Sequence, residues 1–185
     1  VADPVGIGLV PNLARPGGNI TGISLLSAEL AAKRLELLRE AVPGMTRVAV
    51  FLNPLNAGSA VTLSEMQGIA GRLRIELAPA EVRSVDQFET AFAQVARAGA
   101  TGLIVLEDAI FTQSGKAISD LALKHRLPGV YGVGDYTQFG GLMTYSANTR
   151  EICRRAAHYV DKIFKGASPA DLPVEQPTRF ELVVN

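Results

Sequence analysis

Leu103-Ile104-Val105-Leu106, followed at once by Glu107-Asp108, is the stretch on which the fold turns. Four apolar residues in a row fill both faces of a pleated strand, as expected of a central parallel strand covered by helices on each side. Working outward, Arg47–Leu52 (RVAVFL) is a β-branched run ending at Asn53-Pro54, residues 75–82 form another, and residues 128–131 lead into a glycine-rich loop over 132–141. A further short strand is expected over 142–145. Helical patterns alternate with these strands. Residues 59–74 read as a helix despite Gly68 and Gly71, which cost ~1 kcal/mol each in a helix interior. Ser84 and Gln87 have capping-box spacing ahead of Phe88, Phe92 and Val95, which share one face before Gly99. Residues 112–126 bury Ile118, Leu121 and Ala122. Asn148 with Glu151 caps a last helix that Lys165-Gly166 ends. Strand and helix in alternation select right-handed βαβ units, hence an α/β three-layer sandwich with a parallel, doubly wound sheet.

Before this ladder, Arg15-Pro16-Gly17-Gly18-Asn19 is dense in turn formers and residues 20–26 are a strand candidate. Ser27 is placed to cap a helix whose Ala31, Leu35, Leu38 and Val42 make a buried stripe closed by Pro43-Gly44. After the ladder, residues 167–177 read as a proline-rich linker and residues 180–184 as a strand.

Hydrophobic residues at 48% of 185 supply a packed core, and 18 basic against 18 acidic side chains leave no field to gather nucleic acid or an anionic membrane. Cys153 is the one cysteine, which excludes an internal disulfide framework and a cysteine-rich zinc site. It shares a helical stripe with Ala157, Val160 and Phe164, as a buried inert thiol would. The chain opens on Val1 and stops on a strand, so it reads as a fragment, and the absence of a leader segment carries little weight.

Ligands of open parallel sheets sit beyond the carboxyl ends of the strands. There, Asn53 offers donor and acceptor, Asp108 a carboxylate for an ammonium group, and Tyr131, Tyr136 and Tyr145 aromatic faces. Each also has a plain structural reading: Asn53-Pro54 as a turn, Asp108 as a helix cap, the tyrosines as residues straddling core and surface. Gly132-Val133-Gly134 lacks the third glycine of a dinucleotide fingerprint, and Ser114-Gly115-Lys116 has no upstream glycine at phosphate-loop spacing. His125 falls at a helix end and His158 has no ligand at metal spacing, so neither a cofactor nor a metal is expected. No nucleophile elbow or Ser, His and acid set appears, so an enzyme is not expected.

Several stretches carry a resemblance: Asp3-Pro4-Val5-Gly6, the run from Leu13 through Arg15-Pro16-Gly17-Gly18-Asn19 to Gly22, Lys33-Arg34-Leu35-Glu36-Leu37-Leu38, and Ala41-Val42-Pro43-Gly44. Leu127-Pro128, Tyr131-Gly132, Gly140-Gly141-Leu142-Met143 and Asp171-Leu172-Pro173-Val174-Glu175-Gln176-Pro177 belong with them. Together they resemble the ABC-transporter substrate-binding proteins of the tryptophan-binding TrpX type. The resemblance implies a type I periplasmic-binding fold, two α/β lobes joined by three crossovers and closing on a solute, with most of the N-terminal lobe missing here. It assigns 1–20 to the end of that lobe and the first crossover, 21–141 to the C-terminal ligand-binding lobe, and 142–185 to the returning crossover, an N-lobe helix and the terminal strand. That helix, expected over 148–165, would lack its natural packing partner. Carried over by position, the cleft candidates are Asp3, Ser24, Asn53, Asp108, Tyr131 and Asp135. The implied role is the solute receptor of an ABC importer, periplasmic or extracytoplasmic, taking an aromatic or branched amino acid and docking on a membrane permease. Surface left bare by the absent lobe could pair two copies of the chain. The alternatives are the effector-binding domain of a transcription regulator, whose helix-turn-helix module is not present in these residues, and an enzyme of flavodoxin-like fold.

Overall fold

The computed structural model describes residues 3–185, so the expectation for 1–20 is described only from Asp3 onward. The chain divides into two compact units, residues 3–26 with 147–181 and residues 27–146 with 182–185.

The larger unit is the ladder. Helix α1 (Ser27–Ala41) precedes β1 (Arg47–Leu52), α2 (Ala57–Leu73), β2 (Glu76–Glu81), α3 (Phe88–Arg97), β3 (Gly102–Val105), α4 (Ala109–Gln113), α5 (Gly115–Lys124), β4 (Gly129–Tyr131) and β5 (Met143–Ala147). The sheet order is β2-β1-β3-β4-β5-β6, where β6 is Phe180–Val184. Strands β1 to β5 pair in parallel. The Asn185 N–H donates to Leu142 C=O and the Asn148 N–H to Arg179 C=O, so β6 runs antiparallel to β5, an exception to the expected all-parallel sheet.

Strand periodicity explains the two cores. Ala49, Phe51, Leu103, Val105 and Tyr131 point to one face, where they pack with Phe88, Phe92, Ile118 and Leu121 of α3 and α5. Their alternates Val48, Val50, Ile104, Leu106 and Val130 point to the other, against Leu35 and Leu38 of α1 and Met66 of α2. Two buried faces with a helical layer on each give the expected three-layer sandwich. The order is that of a doubly wound sheet whose direction of growth reverses between β1 and β3.

Several local expectations are corrected. Ser27 is itself helical and its buried hydroxyl makes no hydrogen bond. Gln87 Oε1 accepts the Arg83 N–H and Ser84 makes no cap bond, because a 3-10 turn over Val85–Gln87 precedes the helix at Phe88. The single helix expected over 112–126 starts earlier and breaks at Ser114 into α4 and α5. Asn148 does cap its helix, accepting the Glu151 N–H at 2.8 Å.

In the smaller unit, residues 20–26 form no strand beyond one parallel bridge, Ile23 to Glu175. The segment expected as a linker is instead an ordered strap. Val174 N–H donates to Leu13 C=O, Glu175 N–H to Gly22 C=O, Ser24 N–H to Glu175 C=O, and Thr21 Oγ1 to Leu172 C=O. Leu172 and Val174 of the strap are buried. Helix α6 (Thr149–Phe164) buries only Tyr159. Cys153 is exposed, with Val160 at 49% and Phe164 at 86%, which overturns the buried thiol and agrees with the expectation of a helix whose apolar stripe has no cover in this chain.

Arg155 and Glu175 form an ion pair across the strap, and the guanidinium's hydrogen bonds hold the Glu175 carboxyl below its usual range. Tyr159 donates to Pro173 C=O at 2.6 Å, and burial pushes its phenol up to about 12. A carboxyl with a depressed folded pKa contributes stability above its unfolded value and loses it as pH falls through the folded one. Wild type is therefore expected to lose this contribution below about pH 4.5. Arg155 is half-exposed, so solvent screens the pair and its contribution is small. In Arg155→Gln the acid limb of a thermal-stability profile should flatten; an unchanged slope would show that the pair stabilises nothing.

Candidate functional site

The polar groups of the larger unit gather at the carboxyl edge of its sheet, where the order reverses. β1 is followed by Asn53, which is 6% exposed; its Oδ1 accepts the Leu55 N–H at 3.0 Å and its C=O accepts the Asn56 N–H, the turn that Asn53-Pro54 suggested. Asn56 then caps α2 through Oδ1 on the Gly58 N–H. Its amide group crosses the reversal point, donating at 3.1 Å both to Glu107 C=O and to Asp108 Oδ2. Asp108 caps α4, with Oδ1 accepting the Ile110 N–H at 3.0 Å. Both structural readings therefore hold, and they place Asn53 and Asp108 on one turn network. Asp108 stays half-buried, so a carboxylate oriented by two donors faces the edge.

Beneath this edge lies a buried cation. Arg34, on the inner face of α1, has no exposed surface; its Nε donates to Tyr145 C=O at 2.7 Å and its Nη2 lies 2.6 Å from Glu107 Oε1. The Nη2 contact is an ion pair whose angle falls outside hydrogen-bond geometry, and Nη1 has no partner. Gly132, just past β4, closes over the pair: a Cβ there would sit 2.6 Å from Glu107 Oε1 and 2.8 Å from Arg34 Nη1. Only glycine fits so near both groups.

Of the other predicted residues, Asp135 is exposed in the loop that follows, with no cap bond from its side chain. Tyr131 is buried and stacked on Tyr136 at 4.0 Å, with no partner for its hydroxyl, while Tyr136 donates to Phe111 C=O. Burial holds both phenols above their usual range. These rings are core, and this corrects the expectation that they present aromatic faces. Asp3 and Ser24 belong to the smaller unit. Asp3 Oδ1 accepts the Val5 and Gly6 N–H groups in a tight turn, and Ser24 is buried against the strap. No group of three metal-ligating side chains occurs among the described residues.

Sequence reasoning missed Asn56 and Arg34. For Arg34 a signal existed. It sits three residues after Ala31 and four before Leu38, inside the apolar stripe, where a charge must find a buried partner.

In doubly wound sheets, ligands bind where polar side chains collect at the reversal point, beyond the carboxyl ends of the strands. The ABC transporter substrate binding protein family matches residues 1–185, and the chain belongs to it. That family is one of binding proteins, not enzymes. The tyrosine-binding protein of Clostridioides difficile is 24% identical over 186 residues, covering 100% of this chain and 53% of that protein. A crystal structure of a conserved domain protein from Vibrio cholerae matches all of this chain and 62% of its own, at 26% identity and a TM-score of 0.92. A Streptococcus pneumonia ABC domain in complex with L-Trp shares the fold at 20% identity and a TM-score of 0.89, over 100% of this chain and 63% of that one. The chain thus spans between half and two thirds of the length of these relatives.

Proposed function

We propose that this chain is the ligand-gripping part of a solute receptor that serves an ABC importer and takes a small amino acid, aromatic or branched. Residues 21–141 act as the gripping lobe, while 1–20 and 142–185 belong to the crossovers and the opposing lobe. What carries the reading is the position of Asp108, fixed by Asn56 at the point where the sheet reverses. A half-buried carboxylate there suits the α-ammonium group of an amino acid. The C. difficile relative is named for tyrosine and the streptococcal one holds L-Trp, which supports that ligand class. The receptor works outside the cytoplasm and hands its solute to a membrane permease. No helix among the described residues is long and apolar enough to cross a membrane.

Calorimetry on the full-length protein with L-tyrosine, L-tryptophan and L-leucine tests this. Asp108→Ala should weaken the best of them by about 1.5 to 3 kcal/mol, the range for a hydrogen bond to a charged group. Wild-type affinity in that variant would remove Asp108 from the site. Binding of a neutral sugar in place of every amino acid would overturn the ligand class.

A further inference from the structure

We propose that Arg34 is a positioning residue for the ligand edge: buried in α1, it ties the carboxyl ends of β3 and β5 together and so fixes the Asn56–Asp108 turn and the Gly132 loop. This deepens the proposed function and rests on it. The contacts form one chain. Tyr145 C=O accepts from Arg34 Nε, Arg34 Nη2 pairs with the Glu107 carboxylate, Glu107 C=O accepts from Asn56 Nδ2, and the same nitrogen donates to Asp108 Oδ2. Four elements are joined: α1, the end of β3, the start of α2 and β5. Gly132 lies against both charged groups, so the loop leaving β4 rests on the pair rather than beside it.

Stability alone is a poor reason for such a pair. Burying a guanidinium and a carboxylate costs desolvation that their attraction only about offsets, and an apolar pair of similar volume is often as stable. Arg34 also pairs imperfectly, since Nη1 is left without a partner. What an apolar pair lacks is direction. The guanidinium gives Tyr145 C=O a donor through Nε and holds the Glu107 carboxylate by charge through Nη2, and Asp108 is the residue after Glu107.

The test separates packing from positioning. In the full-length protein, Arg34→Met with Glu107→Leu should unfold close to the wild-type temperature, yet bind the preferred of L-tyrosine, L-tryptophan and L-leucine about ten-fold more weakly or worse. Amide hydrogen exchange at Asn56, Gly132 and Val133 should quicken by a similar factor. Wild-type affinity and unchanged exchange in this stable double variant would overturn the proposal. Should the double variant fail to fold, Glu107→Gln, which keeps the shape and removes the charge, must move affinity and exchange in the same direction, and wild-type values there overturn it equally. If the wild-type protein binds none of the three amino acids, the functional reading falls while the exchange measurement still decides whether Arg34 orders the edge.

Discussion

Arg34→Met alone should destabilise the protein by about 3–5 kcal/mol, because removing one member of a buried ion pair leaves the other without compensation. The Glu107 side chain is 13% exposed, too little for water to replace the guanidinium. Tyr145 C=O loses its 2.7 Å donor in the same step. For a chain of this length that cost lowers the unfolding temperature by roughly 10 °C. Urea unfolding of wild type and variant measures it. A loss under 1 kcal/mol would mean that Glu107 turns out to solvent once released, and that the edge is softer than its contacts suggest.

Phe92→Ala should cost a similar amount, about 3–5 kcal/mol, for a different reason. Phe92 is fully buried on α3, meets Phe51 of β1 edge to face with ring centroids 4.8 Å apart, and stacks on His125 at 5.9 Å. Truncation removes the transfer free energy of the ring and leaves a cavity between a helix and the central part of the sheet, where neither can close in. Phe92→Leu, which keeps most of the volume, should recover more than half of the loss in the same urea experiment. Equal losses in both variants would place the effect in the aromatic contacts rather than in the cavity.

The contrast between these two residues shows how much was legible in the sequence. Phe88, Phe92 and Val95 repeat at helical spacing, and RVAVFL and LIVL fill both faces of a strand. The layers and the core therefore follow from local pattern, since each period admits one placement of its apolar side chains. Asn53 and Asp108 were legible as strand ends, because the βαβ rule alone says where such ends collect. The link between them was not. Asn56 reads as one more turn residue until the fold sets it opposite Glu107 and Asp108. Arg34 stands next to Lys33, which lies on the surface in an ion pair with Glu36, and nothing local tells the two basic residues apart except the stripe. Capping shows the same limit: Asn148 holds the Glu151 amide, whereas Ser84 does not, because an intervening 3-10 turn moves the helix start to Phe88. In α6 the period places Cys153, Val160 and Phe164 on one stripe, but the buried thiol expected there is exposed. A stripe says which face wants cover, not that this chain provides it.

The two rims of the sheet are unequal. β2 is guarded by Pro79, which offers no amide hydrogen, and by charges at Glu76 and Glu81, whereas β6 reads FELVV and all five of its residues are exposed. Concentrated solutions of residues 1–185 should therefore accrete strand upon strand along β6, and Leu182→Lys should keep them clear. Light scattering that stays flat with rising wild-type concentration would show that this rim is not sticky.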